Sequence, residues 1–219
     1  MTRLILVRHG QSLSNELHVW GGQSNSPLTA LGEKQAKAVA AAICATEKVD
    51  AIYTSDLDRA YQTGLTIAKG FGLPVTEKCP ALREINTGRW TGSLIEGTES
   101  QEPELVEKRK KDIAHFTFPE GESYRDLYER GRRAILSIVK KHEGECVLIA
   151  AHGGLLRTFE TFVRYNTPDA LPLVPSLKNT AISIYEYENG TFTTVCFNRA
   201  DHLSPEANNN PNPYEKELV

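Results

Sequence analysis

The chain has 219 residues, 40% hydrophobic and 24% charged, which suits one α/β domain with an ample core. Its formal net charge of −3 supplies no global positive field for nucleic acid or an anionic membrane, so any attraction for phosphate must be local. The apolar runs are too short to span a bilayer, and the first strand begins too early to leave room for a signal peptide. Cys44, Cys79, Cys146 and Cys196 form no close pairs and no metal-ligand spacing, which reads as reduced thiols in a cytoplasmic protein.

In chain order, the run over 3–7 predicts a buried strand that ends on Arg8, His9 and Gly10. Open α/β sheets place their chemistry at such strand ends. The arginine presents a fork of donors suited to phosphate, and the glycine lets backbone approach a ligand closely. Thr29 is a candidate cap for an alanine-rich helix over 29–46. A strand is expected at 50–53, a helix at 56–70 and a strand at 74–77. The segment 86–122 is the least regular and holds a helix candidate at 101–114 with the basic run Lys108 to Lys111. Such a run usually forms a solvated face. A helix over 123–142 follows, with Ser123 as its cap. The strand over 146–151 then runs directly into His152-Gly153-Gly154 and a helix over 153–165. Glu188-Asn189-Gly190 predicts a hairpin between strands at 181–187 and 191–197. Residues 200–219, rich in Asn and Pro, read as a mobile tail.

The arrangement of strand, histidine, glycine and helix therefore occurs twice, and parallel strands would bring His9 and His152 to one sheet edge. Other readings stand beside this one. A strand-end histidine can simply bond the backbone, Arg59 can pair with Asp56 or Asp58, and Trp20 and Trp90 can serve core or pocket mouth. His18, His115, His142 and His202 show no metal-ligand pattern.

Leu6-Val7-Arg8-His9-Gly10-Gln11-Ser12 resembles the opening signature of the histidine phosphatase, or phosphoglycerate mutase-like, superfamily. Matching segments follow in the family's order: Asn15, Gly22, Ser26 to Thr29, Thr54 to Leu57 with Arg59, Leu82 to Ile85, Gly121 to Ser123, His152 to Gly154 with Arg157, and Asn179. Two departures are Thr87, where an aromatic is common, and Asn25, where aspartate is frequent.

The resemblance implies an α/β fold, a three-layer α/β/α sandwich whose mostly parallel mixed sheet has one reversed strand. It implies one domain over 1–199, with a short insertion at about 86–122 covering the site. It makes His9 the nucleophile of a phosphohistidine mechanism. Arg8, Arg59 and His152 would hold the phosphoryl oxygens, His152 as a cation, and Glu84 would be the proton donor and then the base for water. Asn15, Gly22, Gln23 and Gly153 would be substrate-binding positions. Local sequence does not single out Glu84, and Asp56 and Asp58 stand as weaker substitutes. No cofactor and no metal are expected. The expected activity is hydrolysis of a small phosphorylated metabolite. The runner-up is a cofactor-dependent phosphoglycerate mutase, disfavoured because the segment between Glu84 and Gly121 is short and Arg109-Lys110 only partly echoes paired mutase arginines. A third reading is a non-catalytic binding or regulatory protein on the same fold. The oligomeric state stays open, a homodimer included, and neither nucleic acid nor membrane is an expected partner.

Overall fold

The computed structural model describes residues 1–208. Its elements begin with β1 (Thr2–Arg8), α1 (Leu13–Glu16), α2 (Ala30–Thr46), β2 (Ala51–Thr54), α3 (Asp58–Phe71) and β3 (Glu77–Lys78). They continue with α4 (Ile95–Gln101), α5 (Pro103–Lys111), α6 (Tyr124–Lys141), β4 (Cys146–Ala151), α7 (Gly153–Tyr165), β5 (Ile182–Glu188), β6 (Thr191–Arg199) and α8 (Pro205–Asn208). No helix among the described residues is long and apolar enough to cross a membrane.

Alternation of apolar side chains along the central strands builds the layers. Leu4 and Leu6 of β1 join Val147 and Ile149 of β4 in a cluster with Leu127 and Ile135 of α6 and Leu155 and Phe159 of α7. The other parity, Ile5, Val7, Ile52 and Leu148, packs against Val39 and Ile43 of α2 and Ile67 of α3. Both faces of the sheet are covered, which is why its central strands are near-continuous apolar runs. The strand order is β3-β2-β4-β1-β5-β6. The first four are parallel, β5 is antiparallel to β1 and β6 is antiparallel to β5, so β5 is the reversed strand.

Local chemistry sets the boundaries. The Thr29 hydroxyl accepts from the Gly32 amide at 3.1 Å and starts α2 as expected. Gly72, in the left-handed region at φ 68°, stops α3. Two expectations need correction. The helix expected at 101–114 is the shorter α5, and a separate α4 ends at Gln101, because Pro103 lacks an N–H and disfavours helical backbone at Glu102, where the break falls. The strand at 74–77 shrinks to Glu77–Lys78. Pro74 cannot donate to a ladder, and the Thr76 hydroxyl takes the Ile52 amide at 3.0 Å instead. Of the expected tail, Ala200 and Leu203 are buried and the Ala207 carbonyl accepts from Gln35 Nε2 at 2.9 Å. Residues 209–219 lie outside the described residues.

Candidate active site

The register Arg8↔Ala151 between β1 and β4 carries both histidines to one edge, and the His9 amide donates to the Ala151 carbonyl at 3.0 Å. The imidazole centroids lie 5.2 Å apart with ring planes at 61°. Gly10 is needed here, because a Cβ would sit 2.5 Å from the Gly32 carbonyl oxygen.

His9 Nδ1 lies 2.7 Å from the Gly10 carbonyl oxygen. A carbonyl only accepts, so Nδ1 carries the proton and Nε2 carries the lone pair. The His9 carbonyl accepts from the Thr180 amide at 3.2 Å and from Asn179 Nδ2 at 3.0 Å, which fixes the backbone beneath the ring. His152 Nε2 lies 2.8 Å from the Ser55 hydroxyl oxygen, and its Nδ1 is buried without a hydrogen-bond partner. Burial first, then the charges of Arg59 and Arg8, hold His9 well below the usual imidazole range. Burial and Arg59 do the same to His152, with smaller effects from His9, Arg8 and Arg130. Burial, and then the positive charges around it, thus disfavour the expected cationic form of His152 in the ligand-free protein.

Arg59 sits in the first turn of α3, and its guanidinium donates to the carbonyls of Ser24 at 2.8 Å and Gly22 at 2.7 Å. Asp56 instead takes Arg83, at 2.8 and 2.5 Å, and that pairing holds its carboxyl below the usual range. Gly22 has φ 45°, and a Cβ there would lie 2.3 Å from Thr87 Oγ1. Its carbonyl can orient Arg59 only because the residue is glycine. Asn25 accepts from the Asp58 amide at 2.9 Å and supports the start of α3, where Leu57 has no capping side chain. Arg8 Nη1 donates to the Leu177 carbonyl. Gly153 leaves room for that arginine, since a Cβ would come within 3.2 Å of Arg8 Nε. The Asn15 amide oxygen accepts from the Ser12 amide at 3.1 Å and Asn179 Nδ2 at 3.4 Å, so the donor capacity left on this side chain is its NH₂. Gln23 turns its amide to the Glu84 carbonyl at 3.0 Å and positions that residue's backbone.

The Glu84 carboxylate is gripped by two amides, Gly154 N at 3.0 Å and Ile85 N at 2.9 Å. A Cβ on Gly154 would lie 2.4 Å from Glu84 Oε1, so the second glycine after His152 is what admits the acid. Arg130 of α6, not singled out in the sequence, holds the loop that bears Glu84. It donates to the carbonyls of Ala81 and Arg83 at 2.9 Å and of Glu84 at 3.2 Å, and its Nε and Nη2 take the two Glu122 oxygens at 3.0 and 2.9 Å. These partners lie 8 to 49 residues away, so no local pattern in the sequence marks them.

A cavity of about 230 Å³ opens above Arg8 and Glu84. Arg109, Lys110 and Lys111 line it, together with Arg157. The basic run is therefore not simply a solvated face. Arg109 is 2% exposed, and its guanidinium stacks 4.9 Å from the Trp20 ring centroid. Trp20 serves both expected roles, lining the cavity and packing 5.3 Å from Trp90, which is buried in the core. Arg157 is pinned by the carbonyls of Val174 at 2.6 Å and Leu171 at 3.0 Å. Among the described residues, no group of three or more His, Cys, Asp or Glu side chains is placed to hold a metal ion.

Two facing imidazoles ringed by arginines, with a carboxylate at the cavity floor, define a site for phosphoryl chemistry. The chain belongs to the histidine phosphatase superfamily (branch 1), whose family profile matches residues 4–200. It is 31% identical to the "Metal-independent phosphoserine phosphatase" of Arabidopsis thaliana, over 93% of this chain and 84% of that protein. It is 37% identical to the "Probable phosphoglycerate mutase GpmB" of Yersinia enterocolitica, over 70% of each. Among solved structures, Bacillus stearothermophilus YhfR superimposes with a TM-score of 0.85 at 32% identity, covering 92% of this chain and 99% of that one. The phosphatase match extends over most of both chains and the mutase-named match over less. The protein is an enzyme of the phosphatase kind, a phosphoric monoester hydrolase.

Proposed function

We propose that the protein hydrolyses small phosphate monoesters through a phosphohistidine on His9, and that its preferred substrates carry a second anionic group. The observation that carries the first part is the facing pair of buried imidazoles, one with its nucleophilic nitrogen free of the backbone. His9 Nε2 attacks phosphorus, the Nε2–P bond forms, the ester P–O bond breaks and Glu84 protonates the departing oxygen. Water then attacks the phosphohistidine and gives its proton to Glu84. The Nε2–P bond breaks and inorganic phosphate leaves. Arg8, Arg59, His152 and the Asn15 amide supply the positive charge and donors that phosphoryl transfer needs around the equatorial oxygens.

The second part rests on the cavity wall. Arg109, Lys110 and Lys111 face the space where the leaving group would sit, and a phosphomonoester bearing a carboxylate or a second phosphate matches that charge. The four free cysteines support a reducing, cytoplasmic setting.

Rapid quench with labelled substrate and EDTA present tests the mechanism. An acid-labile, base-stable phosphoprotein is expected. With Glu84→Gln, alkyl phosphates should lose about 100-fold or more, while an activated aryl phosphate should show a burst of phenolate. Equal losses on both, with no burst, would make Glu84 a structural residue and direct the search for the acid to Asp58. A metabolite panel tests the substrate class. A preference for monoesters with no second charge would sink it.

A further inference from the structure

We infer that Ser55 fixes the tautomer of His152, so that the neutral imidazole presents an Nδ1–H to the phosphoryl group. Ser55 is a positioning residue in this reading. The two residues come from adjacent parallel strands: Ser55 follows β2 and His152 follows β4, and the Ser55 amide donates to the Ala150 carbonyl at 3.0 Å. Both side chains are fully buried, so water does not complete their hydrogen bonds.

A count of donors and acceptors decides the proton. The Ser55 hydroxyl accepts from the Leu57 amide at 3.3 Å, a local turn bond that orients its oxygen at the entry to α3. Its other contact is His152 Nε2 at 2.8 Å. If Nε2 carried the proton, the oxygen would accept twice and its own hydrogen would have no acceptor. The Nδ1 lone pair would also be buried unused. If Nδ1 carries the proton, the hydroxyl donates to Nε2, accepts from Leu57 and is satisfied. The one unmade bond in the cluster is then an Nδ1–H, which is what an anionic oxygen requires. The depressed basicity of the buried ring keeps this arrangement neutral until an anion arrives.

The donor role rests on the phosphatase mechanism above, whereas the tautomer does not. The test is nitrogen NMR of the full-length protein labelled at histidine, near neutral pH, with and without inorganic phosphate. His152 is expected to show a protonated Nδ1 and an unprotonated Nε2, with the Nδ1–H shifting when phosphate binds. Ser55→Ala, which leaves the packing nearly unchanged, should mix the two tautomers. It should also slow aryl phosphate turnover and weaken phosphate binding, each by roughly 10-fold, as for loss of a positioned donor. Ser55→Thr, which keeps the hydroxyl, should recover the Nδ1–H signal. A wild-type His152 protonated at Nε2 overturns the inference. So does an Nδ1–H that ignores phosphate in protein that still forms the trapped phosphoprotein. Failure to trap any phosphoprotein, with the tautomer intact, would instead overturn the catalytic mechanism.

Discussion

The two strand ends that carry His9 and His152 look alike in sequence and differ in which ring nitrogen is spoken for. His9 spends Nδ1 on the neighbouring Gly10 carbonyl and keeps the lone pair of Nε2 for a reacting atom. His152 spends Nε2 on a hydroxyl from the next strand and keeps Nδ1. The partner makes the difference. A carbonyl can only accept, so it draws the proton to the nitrogen it touches, whereas a hydroxyl already holding an amide donates and drives the proton away. One motif used twice thus leaves opposite ring nitrogens open, as the proposed nucleophile and donor require.

The sharpest way to break the comparison is to delete each ring in turn. His9→Ala should lower turnover by about 10⁴-fold or more, because it removes the proposed nucleophile. His152→Ala should cost about 10²- to 10³-fold, the usual range for losing one preorganised donor. Steady-state phosphate release measures both, and equal losses would mean that the two histidines act as one unit.

The glycines sharpen it further. Gly10→Ala drives a Cβ into the Gly32 carbonyl and should cost about 1–3 kcal/mol of stability, read as a lower urea midpoint. Gly154→Ala pushes on the Glu84 carboxylate, a flexible group, so it should leave the midpoint nearly unchanged and slow alkyl phosphates several-fold more than aryl ones. The reverse pattern would put the acid elsewhere.

Titration gives the smallest effect. Both rings are held below their ordinary value, chiefly by burial. Unfolded histidines titrate near about pH 6.5, so below that point the unfolded chain takes up protons that the native sites refuse. The contribution to stability is complete above about pH 6.5 and declines as the pH falls toward the native values. The urea midpoint should therefore drop between about pH 7.5 and about pH 5.5. His152→Asn should make that slope shallower, and an unchanged slope would assign it to other groups.

Much of this was legible in sequence because it is local. The apolar runs at 3–7 and 146–151 predict buried parallel strands, and parallel pairing in register brings the two histidines that follow them to one edge. Thr29 and Ser123 announce helix starts through their own side chains. What the sequence hides is long-range. Ser55 stands in a family segment, yet its role depends on a residue 97 positions away. Arg130 reaches back 46 to 49 residues to hold the acid loop, with no local pattern to mark it. Arg109 sits in a run that reads as solvated, and only the approach of Trp20 and Phe118 from other segments buries it. The break at Pro103 was readable, since proline rarely continues a helix.

The stitch at Asn86 and Glu122 has a consequence for how such an enzyme can change. The Glu122 amide donates to the Asn86 carbonyl at 2.9 Å, and the Asn86 amide donates to the Glu122 carboxylate at 2.9 Å. The segment 87–121 leaves and rejoins the scaffold at this clasp, and Arg130 fastens the clasp to α6. Closing a loop whose ends are already fixed costs little more when it lengthens, about 0.6 kcal/mol per doubling. Exposed turns of the segment can therefore lengthen cheaply, while Trp90, Val106, Phe116 and Phe118 tie it into the core and hold its frame. Wall residues such as Lys110 and Lys111 can then be exchanged without disturbing the clasp that holds the Glu84 loop, which lets substrate range change apart from the buried imidazoles.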